Sequence, residues 1–183
     1  MSRRSLNPET LDPQALGARA EAMIAELAAI SAEPARLVRL FLSPEHRRAA
    51  DLVVQWMRDA GLAVTEDALG TVRGHWSVRS SASNSSQRRS LLIGSHIDTV
   101  LDAGKYDGAF GVIAGILAAE HVAKAGSDLP FDIDVLAFGD EEGSRFPSTL
   151  SSSGAVAGCF DSSTLSFADA KGITYAEALK SYG

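Results

Sequence analysis

The stretch LLIGSHIDTVLDAGKYDGAFGVIAGILAAEHVAKA, residues 91–125, decides the fold because it runs from strand to helix through a polar loop. Residues 91–95 are a short apolar run, which predicts a buried strand. Residues 108–125 repeat apolar side chains at helical spacing, and the three glycines among them predict a helix that lies close to neighbouring backbone. A strand joined to a helix in this way is typical of α/β proteins.

The rest of the chain continues this alternation of helices and strands. Helical spacing predicts helices over residues 12–30 and 43–60, the second with Ser43 as its cap and Pro44 in its first turn. We therefore predict an α/β protein with a partly parallel sheet. The remaining predicted elements are strands over residues 62–66, 71–78 and 131–138 and short helices near residues 149–157 and 174–182.

The domain organisation follows from length and composition. A chain of 183 residues can form one domain with a core, which we place at residues 12–183. Residues 1–11 lack the spacing of a packed element and predict a flexible N-terminal arm. Residues 79–90 are rich in serine and hold no apolar anchor, which predicts a mobile surface loop.

Composition argues against several classes of partner. Seventeen basic and 23 acidic residues give a net charge of −6, so neither a nucleic-acid nor a membrane partner is expected. No apolar run approaches the roughly 20 residues that span a bilayer. The two arginines near the N-terminus are not followed by the apolar stretch of a signal peptide. With a single cysteine, Cys159, the chain fits a reducing compartment, and we predict a cytoplasmic protein.

Two acidic clusters follow two of the predicted strands. The first contains His96, Asp98 and Asp107, and the second is Asp140-Glu141-Glu142. The carboxyl ends of strands are where α/β sheets gather their ligands, so the two clusters meet in one crevice if their strands are neighbours. Carboxylates that crowd together must protonate or share a cation. Two divalent cations would neutralise them, and imidazole with carboxylate suits zinc, manganese, cobalt or nickel.

Each cluster taken alone has a simpler explanation. A His-x-Asp pair is more often structural than a ligand, and Asp-Glu-Glu is most often a solvated turn. Asp107 could cap the following helix through its side chain. Two other kinds of site are not supported, because the glycine spacing after residue 107 is not that of a dinucleotide-binding loop and no G-x-S-x-G nucleophile motif is present.

Taken together, GSHIDTV, GKYDGAFGV and FGDEEGSRFP resemble the M20-type metal-dependent amidohydrolases. The short gap between His96 and Asp107 resembles the branch that holds allantoate amidohydrolases, N-carbamoyl-L-amino-acid hydrolases and β-ureidopropionases. RLFLSPEHRRAADLVVQWMRDAGL and DALGTVRG extend this resemblance over most of residues 37–160. It implies a three-layer, zinc-aminopeptidase-like catalytic domain with a mixed, partly parallel sheet and helices on both faces. This chain would be its N-terminal portion, without the lid or dimerisation domain.

The resemblance also implies a role for each residue of the two clusters. His96 would bind one metal ion, Glu142 the second, and Asp107 would bridge both. Asp98 would orient His96 or the bridge from behind. Glu141 would be the general base, taking a proton from the attacking water and passing it to the leaving nitrogen. A small-molecule ureido substrate would release ammonia and carbon dioxide, and allantoate is the substrate that we favour.

The length of the chain departs from the family. Relatives carry a further metal-binding histidine beyond the equivalent of residue 183, so each ion would have only two protein ligands here. We therefore expect weak or absent metal binding and little or no activity from this chain alone. Relatives form homodimers through the lid domain, so their oligomeric state does not transfer. The alternatives are an N-carbamoyl-L-amino-acid hydrolase or β-ureidopropionase, then an M20 peptidase, then a non-catalytic fragment.

Four residues outside the clusters leave their roles open. Arg145 follows the second cluster, and it could equally shape the pocket or form a structural salt bridge. His46, His75 and His121 match no motif, and we predict them to be surface or partly packed residues.

Overall fold

The structure is a computed structural model that describes residues 12–78, 89–126 and 129–183. The predicted arm at residues 1–11 and most of the predicted serine-rich loop at residues 79–90 lie outside these residues. All the predicted helices and strands are present, and a short 3-10 helix, Ser162–Ser166, precedes the last helix. The elements are α1 (Pro13–Ala28), α2 (Pro44–Asp59), β1 (Ala63–Glu66), β2 (Val72–Trp76), β3 (Ser90–His96), α3 (Ala109–Lys124), β4 (Asp132–Phe138), α4 (Ser151–Val156) and α5 (Tyr175–Tyr182).

Four strands form one mixed sheet in the order β1-β2-β4-β3. The β1/β2 and β2/β4 pairs are antiparallel, whereas β3 and β4 are parallel, with His96 opposite Phe138. The predicted α/β class with a partly parallel sheet is therefore confirmed. Because β3 and β4 are neighbours and run the same way, the loops that follow His96 and Phe138 leave the sheet at the same edge.

Helices α2 and α3 pack on one face of this sheet and share a single core with it. Val53 of α2, Ile116 of α3 and Val135 of β4 are all fully buried in that core. The predicted close approach of α3 is also present, since a Cβ atom added at Gly111 would lie 2.6 Å from the Cβ of Ser95. This tight contact fixes the distance between α3 and the end of β3, and with it the position of the loop that precedes α3.

The opposite face carries polar side chains and a cleft of about 350 Å³, which Val156 of α4 borders. On this face the buried carboxylate of Asp134 pairs with Arg73 Nε and His75 Nδ1, each at 2.8 Å. Burial alone would raise the pKa of Asp134, but these two partners outweigh it and lower the pKa. A charged residue in the central strand is thus accommodated by its neighbours on β2.

Strand β3 is correctly predicted, but its burial is not. Leu91 and Leu92 are 46% and 58% exposed. In the described part of the chain β3 is the last strand of the sheet, so one of its edges has no paired strand. Strand β4 lies between β2 and β3 and is buried along almost its whole length, as the apolar run VLAF in its second half indicates.

The helix ends follow the sequence signals. Ser43 caps α2 by accepting the backbone N–H of His46 at 3.1 Å, and Pro44 begins the helix. Thr174 and Glu177 form a reciprocal capping box at the start of α5. Among the described residues, no helix combines the length and hydropathy that a membrane span requires.

His46 is completely buried, which makes the prediction of a surface or partly packed residue wrong. Its ring lies between Phe41 and Tyr182, with centroid distances of 5.4 Å and 5.3 Å. Neither ring nitrogen has a hydrogen-bond partner among the described residues. Burial therefore lowers the pKa of His46 to about 3. Its position on the inner side of α2 next to the apolar residues of a second core cluster explains why no motif marks it.

The buried His46 predicts a loss of stability in mild acid. The folded protein keeps this ring neutral down to about pH 3, whereas the unfolded chain takes up the proton near pH 6.5. Protons therefore favour the unfolded state between these values, and lowering the pH from 6 to 5 should reduce the unfolding free energy by about 1 kcal/mol through this residue. Urea denaturation of the wild type and His46→Leu at both pH values measures it. Equal pH slopes in the two proteins would contradict this assignment.

Candidate metal centre

The two acidic clusters meet at the edge of the sheet where β3 and β4 end. His96, Glu141 and Glu142 each offer one ligand atom, and these three atoms lie within 4.8 Å of one another. His96 Nε2 is also 3.7 Å from Asp107 Oδ1 and 3.6 Å from Glu141 Oε2. The structure thus brings together the residues for which the sequence predicts metal binding and general-base roles.

The two nitrogen atoms of the His96 ring face different groups. Its Nδ1 faces Asp98, 3.1 Å from the backbone oxygen and 3.4 Å from Oδ1. Its Nε2 faces Asp107 and Glu141. The contacts at Nδ1 fix the ring so that Nε2 points into the acidic pocket.

The buried carboxylate of Asp98 also reaches the second cluster. Its Oδ1 accepts the backbone N–H of Glu141 and its Oδ2 accepts that of Glu142, both at 3.3 Å. One aspartate therefore contacts the histidine of the first cluster and the backbone of the second. The contact with the backbone of the second cluster is one that the sequence did not indicate.

Arg39 is a buried residue of this region that the sequence analysis missed. Its Nε donates to the backbone oxygen of Ile97 at 2.6 Å, and its own N–H donates to Thr99 Oγ1 at 2.8 Å. Burial lowers its pKa to about 10, and the charge of Asp98 opposes this shift. A cation thus supports the loop behind His96. The available signal was an arginine inside the apolar run LVRLFL.

Glu142 is a partly buried carboxylate with other carboxylates close to it. Burial raises its pKa, and the charges of Asp107, Glu141 and Asp98 add to this, while His96 opposes it. Its Oε1 is buried without a hydrogen-bond partner among the described residues. A divalent cation would satisfy this oxygen and neutralise the neighbouring carboxylates, so the residues present fit a metal ion.

Without a bound cation, the surroundings of His96 favour its protonated form. Burial lowers its pKa, but the hydrogen bond and charge of Asp98, followed by the charge of Glu141, outweigh burial and raise the pKa to about 9. A metal ion that binds Nε2 must displace this proton, so acid opposes binding.

Gly108 allows His96 and the start of α3 to lie against each other. A Cβ atom at this position would be 2.5 Å from the backbone oxygen of His96 and 2.6 Å from its ring, and the φ angle is 63°. Helix α3 begins without a side-chain cap, so the alternative in which Asp107 caps it is wrong. The Asp107 side chain is instead 63% exposed and faces His96.

Two further predictions are decided by geometry. Asp140 is completely buried with a φ of 59°, so the alternative of a simple solvated turn does not hold for its first residue. Arg145 Nε contacts Asp169 Oδ2 at 3.1 Å and its Nη1 donates to Phe41 O at 2.8 Å. Arg145 therefore forms the structural salt bridge that was one of its two predicted roles.

Comparison with known proteins gives relatives along most of the chain. Allantoate deiminase 1 of Glycine max is 41% identical over 174 residues, which are 94% of this chain and 35% of that protein. N-carbamoyl-L-amino acid amidohydrolase of Geobacillus stearothermophilus is 39% identical over 168 residues, 91% of this chain and 40% of that protein. A crystal structure of a hydantoinase/carbamoylase family amidase from Burkholderia ambifaria matches with a TM-score of 0.81 and 34% identity, covering 91% of this chain and 40% of that chain.

These matches confirm the fold that the resemblance implies, a zinc-peptidase-like α/β domain, and its similarity to allantoate and carbamoyl amidohydrolases. The chain spans between about a third and two fifths of the length of these relatives. The family model described as Peptidase family M28 matches residues 78–171, which include both acidic clusters. Because this match covers just over half of the chain, the chain belongs to peptidase family M28.

Proposed function

We propose that this site binds divalent cations and hydrolyses the C–N bond of a ureido group in a small molecule, with allantoate as the favoured substrate. The observation that carries the proposal is the convergence of His96, Glu141 and Glu142, with a buried, unsatisfied oxygen on Glu142 among the described residues. The names of the relatives support the reaction class, since they are an allantoate deiminase and an N-carbamoyl amino acid amidohydrolase.

Each residue has a distinct role in this proposal. His96, Asp107 and Glu142 would hold two ions, zinc or manganese with cobalt and nickel as alternatives, and Asp107 would be their shared ligand. The bound ions would lower the pKa of a water molecule and polarise the substrate carbonyl. Glu141 accepts a proton from water and gives it to the leaving nitrogen. Asp98 keeps Nε2 of His96 directed into the pocket.

The finer assignments belong to the same proposal. We place the chain in the ureido-cleaving branch of the M20-type amidohydrolases and in the cytoplasm. An N-carbamoyl-L-amino-acid hydrolase is the second candidate, which the 39% identity with the Geobacillus stearothermophilus protein favours. Both candidates use the same residues and differ in the group attached to the ureido nitrogen.

An assay of the protein translated from the complete reading frame that contains these 183 residues tests the proposal. We expect the Zn²⁺- or Mn²⁺-loaded protein to release ammonia from allantoate faster than from an N-carbamoyl-L-amino acid, and not to cleave a dipeptide. A chelator and Glu141→Gln should each abolish the release, the second without loss of the metal. Faster cleavage of the dipeptide, or no hydrolysis of any of the three compounds, would contradict the proposal.

A further inference from the structure

Four hydroxyl-bearing residues lie directly behind the second acidic cluster. All four contact the backbone or side chains of residues 139–141, and they belong to the segment that leads into α4 or to its first turn. We call them the hydroxyl clamp, which consists of Ser148, Thr149, Ser151 and Ser152.

The clamp holds three consecutive residues, Gly139, Asp140 and Glu141, of which the last two belong to the cluster. Ser151 Oγ donates to Asp140 Oδ2 at 2.5 Å, and Thr149 Oγ1 donates to the backbone oxygen of Glu141 at 2.6 Å. Ser152 Oγ accepts the N–H of Gly139 at 3.0 Å and donates to the backbone oxygen of the same residue. The backbone just before and within the Glu141-Glu142 pair is therefore fixed by side chains of a different element.

The backbone that these contacts hold is one that needs support. Asp140 and Leu150 adopt left-handed φ angles of 59° and 60°, which non-glycine residues keep only where surrounding contacts determine them. The N–H of Leu150 donates to the backbone oxygen of Asp140 and joins the two positions directly. Ser151 and Ser152 are both buried, so their hydroxyl groups are committed to these bonds and not to solvent.

We propose that Ser151 and Ser152 are positioning residues for the cation site. They act through Gly139 and Asp140 to fix the direction in which Glu141 and Glu142 leave β4. The inference rests on the proposed metal binding and deepens it, since it names the residues that set the geometry of the carboxylates. Partners that orient metal ligands in this way typically change metal affinity by 10–100-fold.

Single alanine substitutions in the 183-residue chain test this inference, with Ser153→Ala as the matched control. Ser153 belongs to the same turn of α4, but in the described part of the chain its Oγ bonds only to the backbone oxygen of Leu150. We expect Ser151→Ala and Ser152→Ala to weaken Co²⁺ binding about tenfold, measured by visible absorption, and Ser153→Ala to change it less than twofold. Thermal unfolding verifies that each variant is folded. If Ser152→Ala does not fold, Ser151→Ala carries the test alone.

Amide hydrogen exchange of Glu141 and Glu142 separates this inference from the proposed function. Both N–H groups bond to Asp98 in the metal-free protein, and we expect them to exchange about tenfold faster in the two clamp variants only. If the two variants show this faster exchange but the wild type binds no Co²⁺, the metal site is overturned and the clamp is supported. Unchanged exchange in folded clamp variants, or unchanged Co²⁺ affinity where the wild type binds, would overturn the clamp.

Discussion

Replacing Glu142 with glutamine is expected to weaken Co²⁺ or Zn²⁺ binding about 100-fold, or about 2.7 kcal/mol, and to stabilise the metal-free protein. The carboxylate is a proposed ligand, so its loss removes a charged donor from the ion. Without the ion the same carboxylate is unfavourable, because burial and the charges of Asp107, Glu141 and Asp98 raise its pKa. A neutral amide removes this repulsion.

A variant that lowers metal affinity but raises the stability of the metal-free protein identifies a binding residue and not a structural one. Calorimetric titration measures the affinity, and thermal unfolding in the presence of a chelator measures the stability of the metal-free protein, for which we expect a rise of a few degrees in melting temperature. Glu26→Gln, at an exposed position of α1, is the control and should change neither quantity. A Glu142→Gln variant that loses stability without losing metal affinity would show that this carboxylate has a structural role.

Gly108→Ala should lower the unfolding free energy by about 3 kcal/mol or more and displace His96. The added methyl group would overlap the backbone oxygen and the ring of His96, neither of which can move without disturbing β3 or Asp98. The left-handed φ of 63° adds conformational strain. Urea denaturation gives the stability, and the Co²⁺ affinity reports the displacement of the histidine.

Gly126→Ala separates these two contributions. Gly126 follows α3 with a φ of 61°, but a Cβ atom there would meet nothing within 4 Å among the described residues. The Gly126→Ala variant should therefore lose unfolding free energy through conformational strain alone, by about 1 kcal/mol. If the two variants lose the same stability, the close contact between Gly108 and His96 is not significant.

The features that the sequence predicted are those with local signals. Two adjacent residues, Ser43 and Pro44, mark the start of α2, and the burial of the second half of β4 follows from the apolar run VLAF. The meeting of His96 with Glu142 required only that β3 and β4 be parallel neighbours, which the α/β pattern favours.

The features that the sequence did not predict depend on distant parts of the chain. Leu91 and Leu92 have the composition of a buried strand, but burial depends on the position of β3 within the sheet order. His46 and Arg39 are polar residue types whose burial depends on which apolar groups and carbonyl oxygens surround them. The serines of the hydroxyl clamp resemble an ordinary helix start until the strand end behind them is known.

The contacts of Asp98 make the loop after β3 and the loop after β4 one thermodynamic unit. Its backbone and side chain both face His96, and its two carboxylate oxygens hold the amides of Glu141 and Glu142. Neither loop can open locally without releasing the other from the same carboxylate. The two loops should therefore move and bind a ligand cooperatively. A mutation in one loop should be compensated most readily by a mutation in the other.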